Sequence, residues 1–265
     1  MLRCRRRCAV PTKGEAEVDD LHHFRRCLQS SQAIVGFTGA GISTEAGISD
    51  YRSQGGIWEK FTPVYLNEFK DDPDKRVIYW QRKKALWQSI KNAQPTAAHR
   101  FFVDLYRRNK LAGLITQNID GLHEKSGLPA ESIVNLHGTT LEIVCLKCQA
   151  ITPAEPLMQQ LDPEQPPRCE FCNGLLKPNT ISFGQQLVEA DLVRAERLAR
   201  SCDLMIAAGS TLLVQPAASY PLMAREAGAR LAIITMSDTP LDGYADFVFH
   251  QKLGEFLAAL QRQNS

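Results

Sequence analysis

Two Cys-x-x-Cys pairs, Cys145/Cys148 and Cys169/Cys172, have the spacing that speaks most directly of chemistry in this chain. Cys148 and Cys169 are separated by 20 residues, the upper edge of the zinc-ribbon pattern. Two thiolates from each of two knuckles make a closed tetrahedral S4 shell, so the zinc would be structural. A redox dithiol is the alternative, and two matched pairs argue against it. A second group suits reaction chemistry. Gly39, Ala40, Gly41, Ile42 and Ser43 put small residues where backbone amides can approach a pyrophosphate. Position 44 is threonine and no P-loop lysine follows, so a tight strand-to-helix turn without a ligand fits equally well. Asp50 and Arg52 are either a solvated pair or contacts to a ligand of that loop. In Gln117-Asn118-Ile119-Asp120 an amide and a carboxylate alternate and so point the same way from an extended chain. Such a pair can read a carboxamide or only stabilise a turn. His137 has the residue type of a general base, and a lone histidine is also commonly structural.

These residues need a scaffold that gathers them. Short apolar runs at 33–37, 111–116, 133–136, 204–208 and 232–235 read as buried strands. Leu21, Phe24 and Leu28 mark a short amphipathic helix over 19–29, and Pro95-Thr96 opens another that carries Phe101, Phe102, Leu105 and Tyr106. Trp58, Phe61, Tyr65, Phe69, Tyr79, Trp80 and Trp87 crowd a charged, helical insertion. The cysteine segment, 141–177, holds Pro153, Pro156, Pro163, Pro166 and Pro167 in its middle, which leaves little room for regular structure. The rhythm of strand, loop and helix predicts an α/β fold with a doubly wound parallel sheet, interrupted twice by insertions. Four of the strands end at Gly39, Gln117, His137 and Gly209-Ser210-Thr211. Ligands of open parallel sheets bind beyond the carboxyl ends of strands, so one site can collect all four.

The 265 residues are 44% apolar and 23% charged, an ordinary globular composition that excludes wholesale disorder and a coiled coil. The longest uncharged, proline-free apolar stretch, 204–215, is about half of a bilayer span, so no membrane partner is expected. Net charge is +2, with Arg3, Arg5, Arg6 and Arg7 in the first eight residues. The remaining body is mildly acidic and lacks a nucleic-acid footprint. Paired cysteines without an export signal point to a reducing, cytoplasmic setting.

Together the motifs resemble those of the sirtuins, NAD-dependent protein lysine deacylases. The resemblance runs in order over roughly residues 20–260. It is carried by Gly39 to Ser43, Gly47 to Ser53, Thr116 to Asp120 with Leu122-His123, His137-Gly138, the four cysteines, Lys177-Pro178 leading to Phe183-Gly184, and Gly209-Ser210-Thr211. It implies a Rossmann-like NAD domain over 19–56, 96–140 and 178–265. A small lobe would join the helical insertion, 57–95, to a zinc ribbon, 141–177, and residues 1–18 would be a flexible basic extension. The activity implied is transfer of the acyl group of an acylated protein lysine to NAD, giving nicotinamide, O-acyl-ADP-ribose and free lysine. His137 would be the base. Asn118 and Asp120 would hold the ribose and carboxamide, with Gln117 and Ile119 beside them. Gly39, Ala40, Gly41, Ile42 and Ser43 would cradle the phosphates. Asp50, Tyr51 and Arg52 would line the nicotinamide side. Gly209, Ser210, Thr211 and Thr235 would take the adenosine half. Ile181, Phe183 and Gly184 would pair with substrate backbone by strand addition.

The chain departs from the family pattern at Ser49 (usually proline), Tyr51 (phenylalanine), Gln185 (an acid) and Thr235 (asparagine). Tyr79-Trp80-Gln81-Arg82, with Gln94-Pro95 and His99 downstream, is similar to the branch that includes the mitochondrial lipoamidase-type sirtuin. That similarity makes Tyr79 and Arg82 the expected acyl-side residues. The same residues also have the Tyr-x-x-Arg spacing that in the family's desuccinylase branch clamps an acyl carboxylate. Arg82 precedes His99 by 17 residues, more than that branch has, which favours the first reading. An exposed helix arginine without a ligand is the alternative for Arg82. A mono-ADP-ribosyltransferase or NAD glycohydrolase on the same scaffold is the alternative, and the presence of the base histidine favours deacylation. A zinc-ribbon module that binds DNA or RNA is a third reading, against which the acidic body speaks.

Overall fold

The computed structural model describes residues 13–50, 56 and 62–262, with side chains from residue 19. Tyr51, Arg52, Trp58, Phe61 and the first twelve residues lie outside the described residues. Nine strands are present among the described residues: β1 Ile34–Thr38, β2 Leu111–Thr116, β3 Ile133–Asn135, β4 Gly138–Cys145, β5 Ile151–Pro153, β6 Leu176–Thr180, β7 Leu204–Ala208, β8 Arg230–Thr235 and β9 Phe247–His250. The helices are α1 Lys13–Ser30, α2 Leu66–Asp71, α3 Pro73–Asn92, α4 Ala97–Arg107, α5 Leu122–Lys125, α6 Ala154–Gln160, α7 Glu189–Ser201, α8 Ser219–Glu226 and α9 Leu253–Arg262.

Six strands form one parallel sheet in the order β3-β2-β1-β7-β8-β9. Its central strands are apolar throughout because helices cover both faces. Side-chain alternation divides each strand between two cores. Ile34, Ile206 and Ile234 join Phe24, Phe102 and Phe256 on one face. Val35, Phe37, Met205 and Ile233 join Ala195, Ala199 and Tyr220 on the other. The strand order turns back on itself between β1 and β7, which are direct neighbours. That switch point opens a crevice at the carboxyl ends, where the polar residues lie.

A separate antiparallel sheet, β5-β4-β6, carries the cysteines. Its Ile143 packs with Phe69, Tyr79, Trp80 and Trp87 of α2 and α3, so the aromatic insertion and the ribbon share a third core. Helix α3 starts sharply because the Asp72 carboxylate accepts from the amides of Asp74 (2.9 Å) and Lys75 (3.3 Å) while Pro73 occupies the first turn. It stops ahead of Pro95, which holds the preceding residue extended.

Three sequence expectations change. The first helix starts at Lys13, earlier than residue 19. The proline-rich middle of the cysteine segment does form a helix, α6: Pro153 precedes it and Pro156 sits in its first turn, where the missing N–H has no intrahelical partner to lose. The turn after β1 is a 3-10 helix, Ala40–Ala46, closed by Gly47 in the left-handed conformation. Strands β2 and β7 fall on the expected residues. Strands β4, β5, β6 and β9 were not anticipated.

Candidate active site

The glycine turn and the Gly209 turn interlock at the switch point. The Gly39 amide donates to the Ala208 carbonyl (3.1 Å) and that of Gly41 to the Gly209 carbonyl (2.8 Å). A Cβ on Gly209 would lie 2.4 Å from the Ile42 nitrogen, and its φ of +65° is left-handed besides. The glycines therefore serve close packing of two chain segments. Their amides are committed to the neighbouring strand end, while Ala40 and Ser43 face the cavity in front.

The β2 end supplies the next layer. Register between β1 and β2 sets Thr38 beside Thr116, and their hydroxyls bond at 2.8 Å. The Thr116 hydroxyl accepts from the Asn118 amide (3.0 Å), which shapes the exit from the strand. Asp120 is buried and both its oxygens are held: the Leu122 amide donates to Oδ1 (2.9 Å) and the Ser43 hydroxyl to Oδ2 (2.7 Å). Burial raises its carboxyl above the ordinary value, and these two bonds oppose that rise. Asn118 Nδ2 donates to Ser43 Oγ (3.3 Å), so Ser43 ties both side chains to the glycine turn. Gln117 Nε2 donates to Ser210 Oγ (2.8 Å), and the Ser210 hydroxyl also accepts from the Leu212 amide (3.2 Å). Thr211 follows on the same turn, and Thr235 is buried at the end of β8 beside it.

His137 stands between the two sheets. Leu136 donates to the Thr116 carbonyl in the parallel sheet (3.0 Å), and His137 accepts at its own carbonyl from Ile181, just past β6 of the ribbon (2.8 Å). Gly138, with φ of +72°, turns the chain from one sheet to the other; a Cβ there would meet the Asn179 carbonyl at 2.1 Å. His137 Nδ1 lies 3.0 Å from the Gln117 carbonyl. A carbonyl can only accept, so Nδ1 carries the proton and Nε2 keeps its lone pair. Burial lowers the imidazole's pKa, partly offset by that bond, so the ring is neutral and basic at pH 7.

A cavity of about 120 Å³ collects Ala40, Ser43, Ile48, Asn118, Ile119 and Asp120 on its reaction side. Asp50 is half-buried at the end of the same loop. Beyond Thr140 and Met158, the far wall is α3, which presents Lys83, Leu86, Trp87, Ser89 and Ile90. Tyr79 and Arg82 are not in that wall: Tyr79 packs on Phe69 (ring centroids 4.8 Å apart) and Trp80, and Arg82 Nη1 donates to the Thr62 carbonyl. Ile181, Phe183 and Gly184 lie beyond the end of β6 instead of on a strand, because Ser182 to Gln185 close a turn with Gly184 at φ +77°. Gln185 accepts from the Ser182 amide through Oε1 (3.1 Å), and Phe183 rests on Tyr65 (5.7 Å).

The four cysteine sulfurs all lie within 4.8 Å of one another. Sulfur separations are 3.5 Å for Cys145–Cys172 and 3.8 Å for Cys148–Cys169. A disulfide needs about 2.05 Å, whereas a tetrahedron with Zn–S of about 2.3 Å puts its sulfurs about 3.8 Å apart. The amides of Lys147 and Cys148 point at Cys145 Sγ (3.4 and 3.5 Å) and lower its thiol to about 6. The residues fit zinc.

Sequence reasoning passed over three polar groupings. Gln117–Ser210 ties the β2 and β7 ends. His99 and His123 stack in the core behind the site, with centroids 4.7 Å apart. His250 bridges Asp238 (Nδ1, 2.9 Å) and Asp242 (Nε2, 3.0 Å). The His99 pairing had a signal, since Thr96 three residues earlier is the capping position of α4.

Comparison with known proteins agrees with this geometry. The Sir2 family model matches residues 39–216. The NAD-dependent protein deacetylase 1 of Bradyrhizobium diazoefficiens is 42% identical over 87% of this chain and 91% of its own length. NAD-dependent protein deacylase 1 of Archaeoglobus fulgidus is 35% identical over 89% and 95%. Among solved structures, a Sir2 variant with a deacetylated p53 peptide and 3'-O-acetyl ADP-ribose superposes with a TM-score of 0.85 at 31% identity, covering 92% of this chain and 98% of that one. A Sir2–p53 peptide–NAD+ structure gives 0.82 at 31%, with the same coverage. A family match over most of the chain, on a fold whose switch point holds the matched residues, shows that the chain belongs to the Sir2 family.

Proposed function

We propose that this protein removes acyl groups from protein lysines with NAD, yielding nicotinamide, O-acyl-ADP-ribose and free lysine. The observation that carries the reading is His137, held between the two sheets in the tautomer that leaves Nε2 basic, beside the strand end that bears Asn118 and Asp120. NAD supplies the ADP-ribosyl group that receives the acyl group, which makes the enzyme a transferase. Asn118 and Asp120, oriented through Ser43, bind the ribose and carboxamide. Ala40 and Ser43 meet the phosphate side, with Gly39, Gly41 and Ile42 shaping the turn beneath. Asp50, with Tyr51 and Arg52 beyond the described residues, lines the nicotinamide side. Gly209, Ser210, Thr211 and Thr235 take the adenosine half. His137 Nε2 accepts a proton from a ribose hydroxyl, and burial of the ring favours the unprotonated form at pH 7. Ile181 to Gly184, exposed at Phe183, border the path of the substrate backbone. Cys145, Cys148, Cys169 and Cys172 hold a structural zinc. No helix among the described residues is long and apolar enough to cross a membrane. Free thiols at Cys27 and Cys202 support a reducing, cytoplasmic setting.

Mass spectrometry of the full chain with NAD and a panel of acyl-lysine peptides tests this. Deacylated peptide and O-acyl-ADP-ribose should appear in equal amounts. His137→Ala should keep NAD binding and lose about 10²- to 10⁴-fold in turnover. Nicotinamide release with unchanged peptide would overturn the reading in favour of ADP-ribosyl transfer or NAD hydrolysis.

A further inference from the structure

The amine of Lys83 is a nucleophile that the reaction above does not use. Lys83 lines the cavity from α3, among Leu86, Trp87 and Ile90, and Met158 and Pro178 close that end from the ribbon. Other lysines of the helix have partners: Lys75 pairs with Glu68 (3.7 Å), Lys84 donates to the Leu161 carbonyl (2.7 Å) and Lys91 pairs with Glu155 (2.9 Å). Among the described residues, Lys83 has neither a carboxylate nor a hydrogen-bond acceptor. Its Nζ stands 5.3 Å from the Tyr79 ring centroid, and the charge it faces is another cation, Lys177. An apolar pocket and a neighbouring cation are the two settings that turn a lysine from a fixed charge into a nucleophile. Desolvation lowers the Lys83 amine to about 8. At pH 7 about 10% of such an amine is free base, against about 0.03% of an ordinary lysine. Lys177 is lowered further, to about 7, by burial first and the Lys83 charge second. Geometry separates the two. Lys177 is buried, spends its amine on the carbonyls of Pro178 (3.0 Å) and Thr180, and does not line the cavity. Lys83 lines it with its amine unspent.

We propose that Lys83 is a self-acylation site, at which the cavity amine takes the acyl group of a small activated donor, an acyl thioester or an acyl phosphate. The lone pair of the neutral Nζ attacks the donor's carbonyl carbon. A C–N bond forms, and the C–S or C–O bond breaks with its electron pair leaving on the thiolate or the phosphate. The proton shed by nitrogen goes to solvent, and nothing is oxidised or reduced. The product is a neutral amide, which ends the repulsion with Lys177 and suits the apolar wall better than an ammonium does. The added group extends into the space between α3 and Asn118. That space is the one an incoming acyl-lysine needs, so the modification blocks turnover. This consequence rests on the deacylase reading, and the modification itself does not.

The test incubates the full-length protein, without NAD, with acetyl phosphate in one arm and acetyl-coenzyme A in the other. Site occupancy is followed by peptide mass spectrometry. A weaker base is also a weaker nucleophile, by about half a log unit per pKa unit on the precedent of thiols, so most but not all of the gain in free amine survives. In at least one arm Lys83 should therefore be acetylated about 10-fold faster than Lys75, Lys84 and Lys91, and Lys177 should stay unmodified. The arm that reacts identifies the donor as phosphate or thioester. The same treatment in urea should erase the advantage of Lys83, since the unfolded chain has no cavity. Lys83 reacting no faster than its three neighbours in both arms, an advantage that persists in urea, or Lys177 reacting first would overturn the assignment. Deacylase turnover of treated wild type should fall in step with Lys83 occupancy, while Lys83→Arg should keep its own starting turnover through the treatment. Equal loss in both proteins would remove the block. An untreated protein that deacylates no peptide removes the deacylase reading and the block with it, while the masses still decide the modification.

Discussion

Replacing His99 with asparagine should remove part of the acid sensitivity of this fold. His99 and His123 are both almost fully buried and stacked. His99 Nδ1 accepts from the Thr96 amide (3.1 Å), and His123 Nε2 meets the Thr38 hydroxyl (2.9 Å). Phe102 packs edge-on against His123. Burial lowers the His99 imidazole to about 4, with Arg100 adding to the effect, and lowers His123 well below 6.5. The folded state thus binds protons more weakly than the unfolded chain. Stability from His99 is complete above about pH 6.5 and is lost as pH falls toward 4. At about 1.36 kcal/mol per pKa unit, the full effect is about 3 kcal/mol, of which about 2 kcal/mol falls between pH 7 and pH 4.5. Asparagine can keep the acceptor for Thr96 but cannot titrate. The variant should be less stable at pH 7, because the ring contact is gone, and the gap to wild type should close by about 2 kcal/mol at pH 4.5. Urea unfolding across that range measures it. Carboxylate protonation and zinc release act on both proteins and cancel in the difference. A gap constant to within about 0.5 kcal/mol would refute the placement of an uncharged His99 in the core.

Gly209→Ala should destabilise the fold by about 1–3 kcal/mol or more and weaken NAD binding, because the new methyl meets Ile42 and the backbone is left-handed; an unchanged urea midpoint would count against the interlocked turns. Cys172→Ser should abolish zinc binding, read by metal analysis of the purified protein, and expose residues 141–177 to protease, since the S4 shell is what closes that segment.

The elements whose burial is simplest were the most legible. Strands β2 and β7 are continuous apolar runs covered on both faces, and they lie where the pattern puts them. Strand β4 was hidden because its burial follows no two-residue period and its main partner strand, β6, lies 31 to 42 residues away in the chain. Strand β9 was hidden because only its packing on Phe24 and Phe256 marks it as core. The cysteine spacing revealed the metal shell but not helix α6, since the prolines that seemed to forbid structure fall at the start of that helix, where they are tolerated.

Within the site, residue type was legible and direction was not. Asn118, Asp120 and His137 stand where strand-end logic placed them, because a parallel sheet delivers its carboxyl ends to one side. Gly39 and Gly41 look like a phosphate cradle in sequence, but their amides are spent on β7, a contact between residues about 170 apart that no local pattern announces. Arg82 and Lys83 differ by one position on α3, which is about 100° of rotation on a helix. That step turns Arg82 to the Thr62 carbonyl and Lys83 into the cavity. Tyr79 sits one turn earlier and is absorbed by Phe69 and Trp80. The packing of Trp80 and Trp87 into the third core fixes that rotation, so which α3 side chains face the cavity is set by how the helix docks on the ribbon.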